Sequence, residues 1–151
     1  MATVMYNTIL IGIDGSGHAD EAVKVAAALA RAPANITVVH VINEKSHREL
    51  EEFGRIEHID VTAPAVIIGQ QLLGQTVRAL QSHGHEAITT TLREGETATE
   101  ILSYASEIMA DLIVLGCRGL RPSIRSSLGS VSSAVLHRAP CTCIAVRGPD
   151  A

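Results

Sequence analysis

Apolar residues recur along this chain in two rhythms that take turns. Residues 8–14 (TILIGID) form an apolar run that ends in a carboxylate and passes into Gly15-Ser16-Gly17, the pattern of a buried strand turning into a helix start. Ala19, Ala22, Val23, Ala26, Leu29 and Ala30 then fall at helical spacing, with Asp20 and Glu21 in the favourable first turn and Pro33 just beyond. This predicts a helix from about His18 to Arg31. Residues 35–42 (NITVVHVI) are β-branched and almost wholly apolar, as in a strand covered on both faces of a parallel sheet. Residues 43–61 carry charges and histidines with scattered apolar positions, and read as a loop with some helix. A helical pattern follows from about Thr62 to Ser82, with Gly84 as its C′ glycine.

The second half repeats the alternation. Residues 87–92 (AITTTL) suit a half-exposed edge strand, and Thr97-Ala98-Thr99-Glu100 has capping-box spacing for a helix reaching about Met109. Residues 112–115 (LIVL) read as a short buried strand, Gly129 to Arg138 as a helix with His137 and Arg138 in its last turn, and 141–147 (CTCIAVR) as a final strand. Strands alternating with helices imply a parallel sheet with helices on both faces. Ligands in such sheets sit beyond the carboxyl ends of the strands, where Asp14 and Gly116 lie.

Composition narrows the possible functions. A chain of 151 residues suits one compact domain, expected over 1–147 with 148–151 as a tail, and no repeat or linker marks a second. The core must be aliphatic, because the 46% of apolar residues include no Trp, one Phe and two Tyr. Twelve basic against sixteen acidic residues give a net charge of −4, and basic residues cluster only around Arg118, Arg121 and Arg125, which argues against nucleic acid as a partner. Apolar runs are too short for membrane insertion, and the start lacks the basic region of a signal peptide, so a cytoplasmic location is expected. Cys117, Cys141 and Cys143 cannot all pair and fit a reducing compartment. His83-Gly84-His85 is the densest histidine pair, but it straddles a helix end without a partner at zinc-site spacing.

The segment that carries chemistry is Gly116-Cys117-Arg118-Gly119, nine further residues, then Gly129-Ser130, between a buried strand and an amphipathic helix. Glycines there let the main chain approach an anion and take positive φ, while the free N–H groups opening the last helix point at phosphate oxygens. Ser130, Ser132 and Ser133 offer hydroxyl donors, and Arg118, Arg121 and Arg125 offset the charge of a triphosphate. The plainer reading of the same residues is a chain turn, a helix cap and solvated arginines. Asp14 is a strand-end carboxylate able to accept ribose hydroxyls or help hold Mg²⁺, or simply a cap for the first helix. Cys117 beside Arg118 is either a thiol of lowered pKa or a small loop residue.

These residues resemble the universal stress protein family, whose ATP-binding members carry Gly-x2-Gly-x9-Gly-Ser/Thr. The resemblance extends to ILIGIDGS, VVHVI, EGETATEIL and APCTCIAVR, and so to nearly the whole chain. It implies a Rossmann-like, doubly wound, five-stranded parallel sheet of order 3-2-1-4-5. It also implies adenine and ribose near Gly12, Asp14 and Val41, with phosphates over Gly116, Arg118, Gly119, Gly129 and Ser130, and Val131 and Ser132 completing the cradle. ATP is the implied cofactor, with Mg²⁺ or Mn²⁺ at Asp14. The resemblance also implies a homodimer paired through strand 141–147, and an unidentified protein partner that reads the ATP-bound state is expected beside it.

The expected function is an ATP-binding regulatory or stress-response protein that retains its ligand, because residues 116–132 contain no His or Glu to act as a base. The rivals are a slow ATPase or phosphotransferase using Arg118 or Arg125 with Asp14, and a nucleotide-independent structural dimer or interaction module.

Overall fold

A computed structural model describes residues 6–121 and 128–149. In chain order the elements are β1 (Tyr6–Gly12), α1 (Gly17–Leu29), β2 (Ala30–Ile42), α2 (Glu44–Phe53), α3 (Ala65–Ser82), β3 (Ile88–Glu94), α4 (Thr97–Glu107), β4 (Leu112–Gly116), α5 (Ser130–Arg138) and β5 (Thr142–Val146). The five strands form one sheet of order β3-β2-β1-β4-β5, and every pairing is parallel. The expected Rossmann-like, doubly wound α/β architecture is therefore present.

The sheet's two faces divide the core by strand alternation. Ile9, Ile11, Leu112 and Val114 point to the side covered by α1 and α3, where they join Ala22, Ala26, Ile68 and Leu80. Leu10, Ile113 and Leu115 point to the side covered by α4 and α5, with Val39, Val41, Ile101 and Val135. Residues opposite in register, such as Ile9 and Leu112 or Ile11 and Val114, share a face, as the period of two requires. Ile9, Leu10 and Ile11 are fully buried, which is why the central strand tolerates no polar residue there.

Several boundaries depart from the sequence reading, each for a local reason. The first helix ends at Leu29, not Arg31, and β2 begins at Ala30, because Pro33 holds its own φ and pushes the preceding residue to extended backbone. The register slips between Tyr6 and Thr8 to absorb this early start. Residues 44–53 are a full helix rather than a loop with some helix. Its start is a reciprocal capping box in which Asn43 Oδ1 accepts from Ser46 N (2.8 Å) and Ser46 Oγ from Asn43 N (3.1 Å). The cap of α4 is Glu96, whose carboxylate accepts from the amides of Ala98 and Thr99, and not Thr97. Gly84 follows α3 at φ +89°, as its C′ role predicts. Among the described residues no helix is long and apolar enough to cross a membrane.

Candidate functional site

The carboxyl ends of β1, β2 and β4 open into a cavity of about 880 Å³ at the point where the strand order reverses. Its floor is Gly12, Val39, Val41, Ile101 and Leu115, and each of these apolar side chains is less than 5% exposed. One wall is the turn after β4 and the start of α5: Gly116, Arg118, Gly119, Arg121, Gly129, Ser130, Val131 and Ser132. Asp14 lies between floor and wall. The structure thus brings Gly12, Asp14 and Val41 around one cavity with the residues of this wall, while Ser133, also expected to offer a hydroxyl, does not line it. Arg125 falls outside the described residues, as does most of the stretch between Gly119 and Gly129.

The glycines of this wall do different jobs, and none of them uses positive φ. Among the described glycines positive φ occurs at Gly15, Gly84 and Gly95. A Cβ on Gly116 would lie 2.8 Å from the backbone N of Ala19 and from His18 C, so this glycine lets β4 pass the start of α1. A Cβ on Gly119 would meet only Asp14 Oδ2, at 3.1 Å, so its bareness opens space in front of that carboxylate. Gly129 is the N-cap of α5 and supplies no side-chain cap, whereas α1, α2 and α4 are capped by Ser16, Asn43 and Glu96. The first amides of α5 are thereby left to face the cavity, with the positive end of the helix dipole behind them.

Cys117 ties the wall together. Its N–H donates to Val146 O (2.7 Å), and its carbonyl accepts from Gly129 N (2.7 Å) and from Ser132 Oγ (2.7 Å). The Ser132 hydroxyl, expected as a donor to phosphate, is spent on this carbonyl and is buried. What Ser132 can present to a ligand is its amide. The Cys117 thiol is buried 3.8 Å from His18 Nδ1, and the same nitrogen accepts from Gly148 N–H at 2.7 Å. Gly148, the first residue of the expected tail, is tied to the start of α1.

Asp14 does not cap α1. Its Oδ1 accepts from Ser16 N (2.8 Å), and Ser16 Oγ caps the helix by accepting from Ala19 N (3.1 Å). This bond pins the carboxylate and leaves Oδ2 toward Gly119. Burial, then the nearby charge of Asp14, holds the Asp20 carboxyl above its ordinary value. His40 Nδ1 donates to Ile13 O (2.9 Å), and burial pushes its pKa down against the opposing pull of that bond and of Asp14. His83 and His85 are occupied as donors to Ala79 O and Ala27 O, in keeping with a structural role.

The opposite wall was not visible in the sequence. It consists of Asn43, Glu44, Lys45, Ser46, Arg48 and Glu49 at the start of α2, with Gly95, Glu96 and Thr97 between β3 and α4. Asn43 Nδ2 links the two pieces by donating to Gly95 O and to Thr97 Oγ1, both at 2.9 Å. Asp14 is therefore not the cavity's lone carboxylate, since Glu44, Glu49 and Glu96 also line it. Glu96 is held below the usual carboxylate range by its hydrogen bonds from Thr99. The signal that could have revealed this wall is the Asn43-x2-Ser46 capping pair directly after a buried strand.

The universal stress protein family profile matches residues 5–147, which spans both walls and every strand. The chain belongs to the universal stress protein family. This universal stress protein is 32% identical over 146 residues to a universal stress protein of Staphylococcus aureus strain USA300, covering 95% of this chain and 86% of that one. Among solved structures it resembles the universal stress protein UspA of Lactobacillus plantarum, with a TM-score of 0.74 and 27% identity over 96% of this chain and all of that one. It also shares its fold with a universal stress protein of Archaeoglobus fulgidus in complex with dAMP, with a TM-score of 0.66 and 22% identity over 95% and 99% of the two chains.

Proposed function

We propose that this universal stress protein binds and retains ATP in the cavity between α2 and α5, as a regulatory ligand rather than a consumed substrate. The observation that carries the reading is the convergence of an uncapped helix start, Arg118 and Arg121 on one wall of a cavity at the sheet's switch point. Backbone amides and guanidinium groups suit a polyphosphate, the pinned Asp14 carboxylate suits ribose hydroxyls, and the aliphatic floor around Val41 suits a flat base. A nucleotide in the Archaeoglobus fulgidus relative agrees with this chemistry.

Mg²⁺ or Mn²⁺ fits the same reading as a companion of the nucleotide. Among the described residues no three His, Cys, Asp or Glu side chains gather into a metal cluster. Asp14 can supply one carboxylate oxygen, and magnesium sites commonly combine one or two carboxylates with phosphate oxygens and water. The metal's chemistry would be to offset phosphate charge. The chain's own part is to hold Asp14 through Ser16 N–H.

Slow hydrolysis is a second reading, favoured by the carboxylates of Glu44 and Glu49 in the cavity. Phosphate release that is lost in Asp14→Ala and Glu49→Gln would support it, and release that survives both would point to a contaminant. The edge strand β5, half-buried along Cys143–Val146, is the surface on which a second copy could add its own strand, and light scattering with and without ATP tests both the dimer and its dependence on ligand. Retention itself is tested by acid release and mass spectrometry of nucleotide carried through purification. ATP at near-stoichiometric amounts is expected, and its absence from gently purified protein would count against the proposal.

A further inference from the structure

A base held in this cavity meets an unusual problem. None of the lining residues is Phe, Tyr or Trp, and the whole chain has only Phe53, Tyr6 and Tyr104 to offer. The floor of Val39, Val41, Ile101 and Leu115 can cover one face of a flat ring by apolar contact. The other face looks toward α2, which presents Glu44, Lys45, Arg48 and Glu49.

Of these four, only Arg48 ends in a planar cation. A guanidinium is also more weakly hydrated than an ammonium, so it stacks on an aromatic face at smaller desolvation cost. The helical spacing would allow Glu44 to pair with Arg48 and Lys45 with Glu49. Neither pair forms, and among the described residues neither Arg48 nor Lys45 makes an ion pair or a side-chain hydrogen bond. His47, on the same helix, does pair with Glu51, at 3.3 Å.

The helix that carries Arg48 is fixed rather than adrift. Its first turn is held by the Asn43 and Ser46 capping box, Asn43 Nδ2 fastens it to Gly95 and Thr97, and buried Leu50 anchors its far side. The backbone at Arg48 is therefore held above the apolar floor while its charge stays uncommitted.

We infer that Arg48 is the base-stacking residue of the site, its guanidinium closing over the nucleobase opposite Val41 and Leu115. This rests on the nucleotide reading above and adds to it a residue that determines base affinity. Because the contact is with the π face, it favours the larger purine over a pyrimidine and contributes nothing to a ligand without a base.

Calorimetric titration of nucleotide-stripped protein with ATP, UTP and inorganic tripolyphosphate separates the possibilities. In Arg48→Ala, ATP is expected to bind about 2- to 30-fold more weakly, the range of a cation–π contact. UTP should lose less, and tripolyphosphate should bind as to the parent protein. Arg48→Lys should recover only part of the ATP affinity lost in Arg48→Ala, while Lys24→Met, which removes a cation outside the cavity, should leave all three ligands unchanged. Equal loss for tripolyphosphate would make Arg48 a phosphate contact and overturn the inference. Full recovery in Arg48→Lys, or no loss in Arg48→Ala, would overturn it as well. Failure of the parent protein to bind ATP at all would remove the nucleotide reading and the inference with it. Arg48 is exposed, and unchanged melting temperatures would show that the variants fold.

Discussion

Gly116→Ala and Gly119→Ala look alike in the motif and should behave oppositely. In Gly116→Ala the added methyl would sit 2.8 Å from backbone atoms of His18 and Ala19. Backbone at a capped helix start cannot rotate away as a side chain can, so the strand end and α1 must separate. Overpacking of this kind costs about 1–3 kcal/mol, and the rigid neighbours place this case near the top of that range. For a domain of this size about 3 kcal/mol corresponds to a fall in Tm of roughly 6–12 °C. In Gly119→Ala the methyl meets only Asp14 Oδ2, at 3.1 Å, and that side chain can give by a few tenths of an ångström. Its Tm should stay within about 2 °C of the parent, corresponding to less than about 1 kcal/mol. ATP affinity should instead fall by about tenfold or more, equivalent to about 1.4 kcal/mol, because the methyl occupies the space in front of the carboxylate. Scanning calorimetry of ligand-free protein and titration with ATP read the two effects separately. A Gly116→Ala protein that melts like the parent, or a Gly119→Ala protein that loses stability but not affinity, would refute the division of roles.

Other perturbations follow from the same contacts. His40 is held neutral by burial, so stability should be full above about pH 6.5 and decline as pH falls toward the lower folded-state pKa, by at most about 1.4 kcal/mol per pH unit. Urea titrations between pH 8 and pH 5 should show this acid-side slope, and His40→Gln should flatten it. An equally steep slope in that variant would assign it to other groups. Asn43→Ala should cost about 1–2 kcal/mol, whereas Asn43→Asp keeps the helix cap but loses the donors to Gly95 O and Thr97 Oγ1, and should cost less. Equal losses in chemical denaturation would mean that the cap contributes nothing. Ser132→Ala should lower stability by about 0.5–1.5 kcal/mol and weaken ATP binding by loosening Cys117 from α5, and a variant indistinguishable from the parent in both would contradict the tie.

The alternation of apolar runs with helical stripes carried most of the fold. Residues 8–12, 35–42 and 112–115 are apolar on both faces, which signals parallel strands between two helical layers, and the strands lie there. Helix α2 was harder to see because Leu50 is its one buried residue, leaving no apolar stripe to mark a period. Its hydrogen-bonded start marks it more clearly than its single buried side chain does.

The site divides along the same line. Gly116 to Ser132 could be read from spacing, since glycines and a helix start fall within a short stretch of chain. The α2 wall could not, because Asn43 to Glu49 face Gly116, Gly119 and the start of α5 only once β1 has been placed between β2 and β4. Nor does a glycine's presence in a motif say what it excludes. That Gly116 clears α1 while Gly119 clears Asp14 depends on distances between segments far apart in sequence.

ATP binding in the cavity between α2 and α5 is the proposal on which the ligand predictions rest. Its most direct test is isothermal calorimetry of nucleotide-stripped protein with ATP and Mg²⁺, run beside Gly119→Ala. The account predicts saturable binding of one ATP per chain that is weakened at least about tenfold by the substitution. No saturable heat in the parent protein, or binding that Gly119→Ala leaves unchanged, would contradict it.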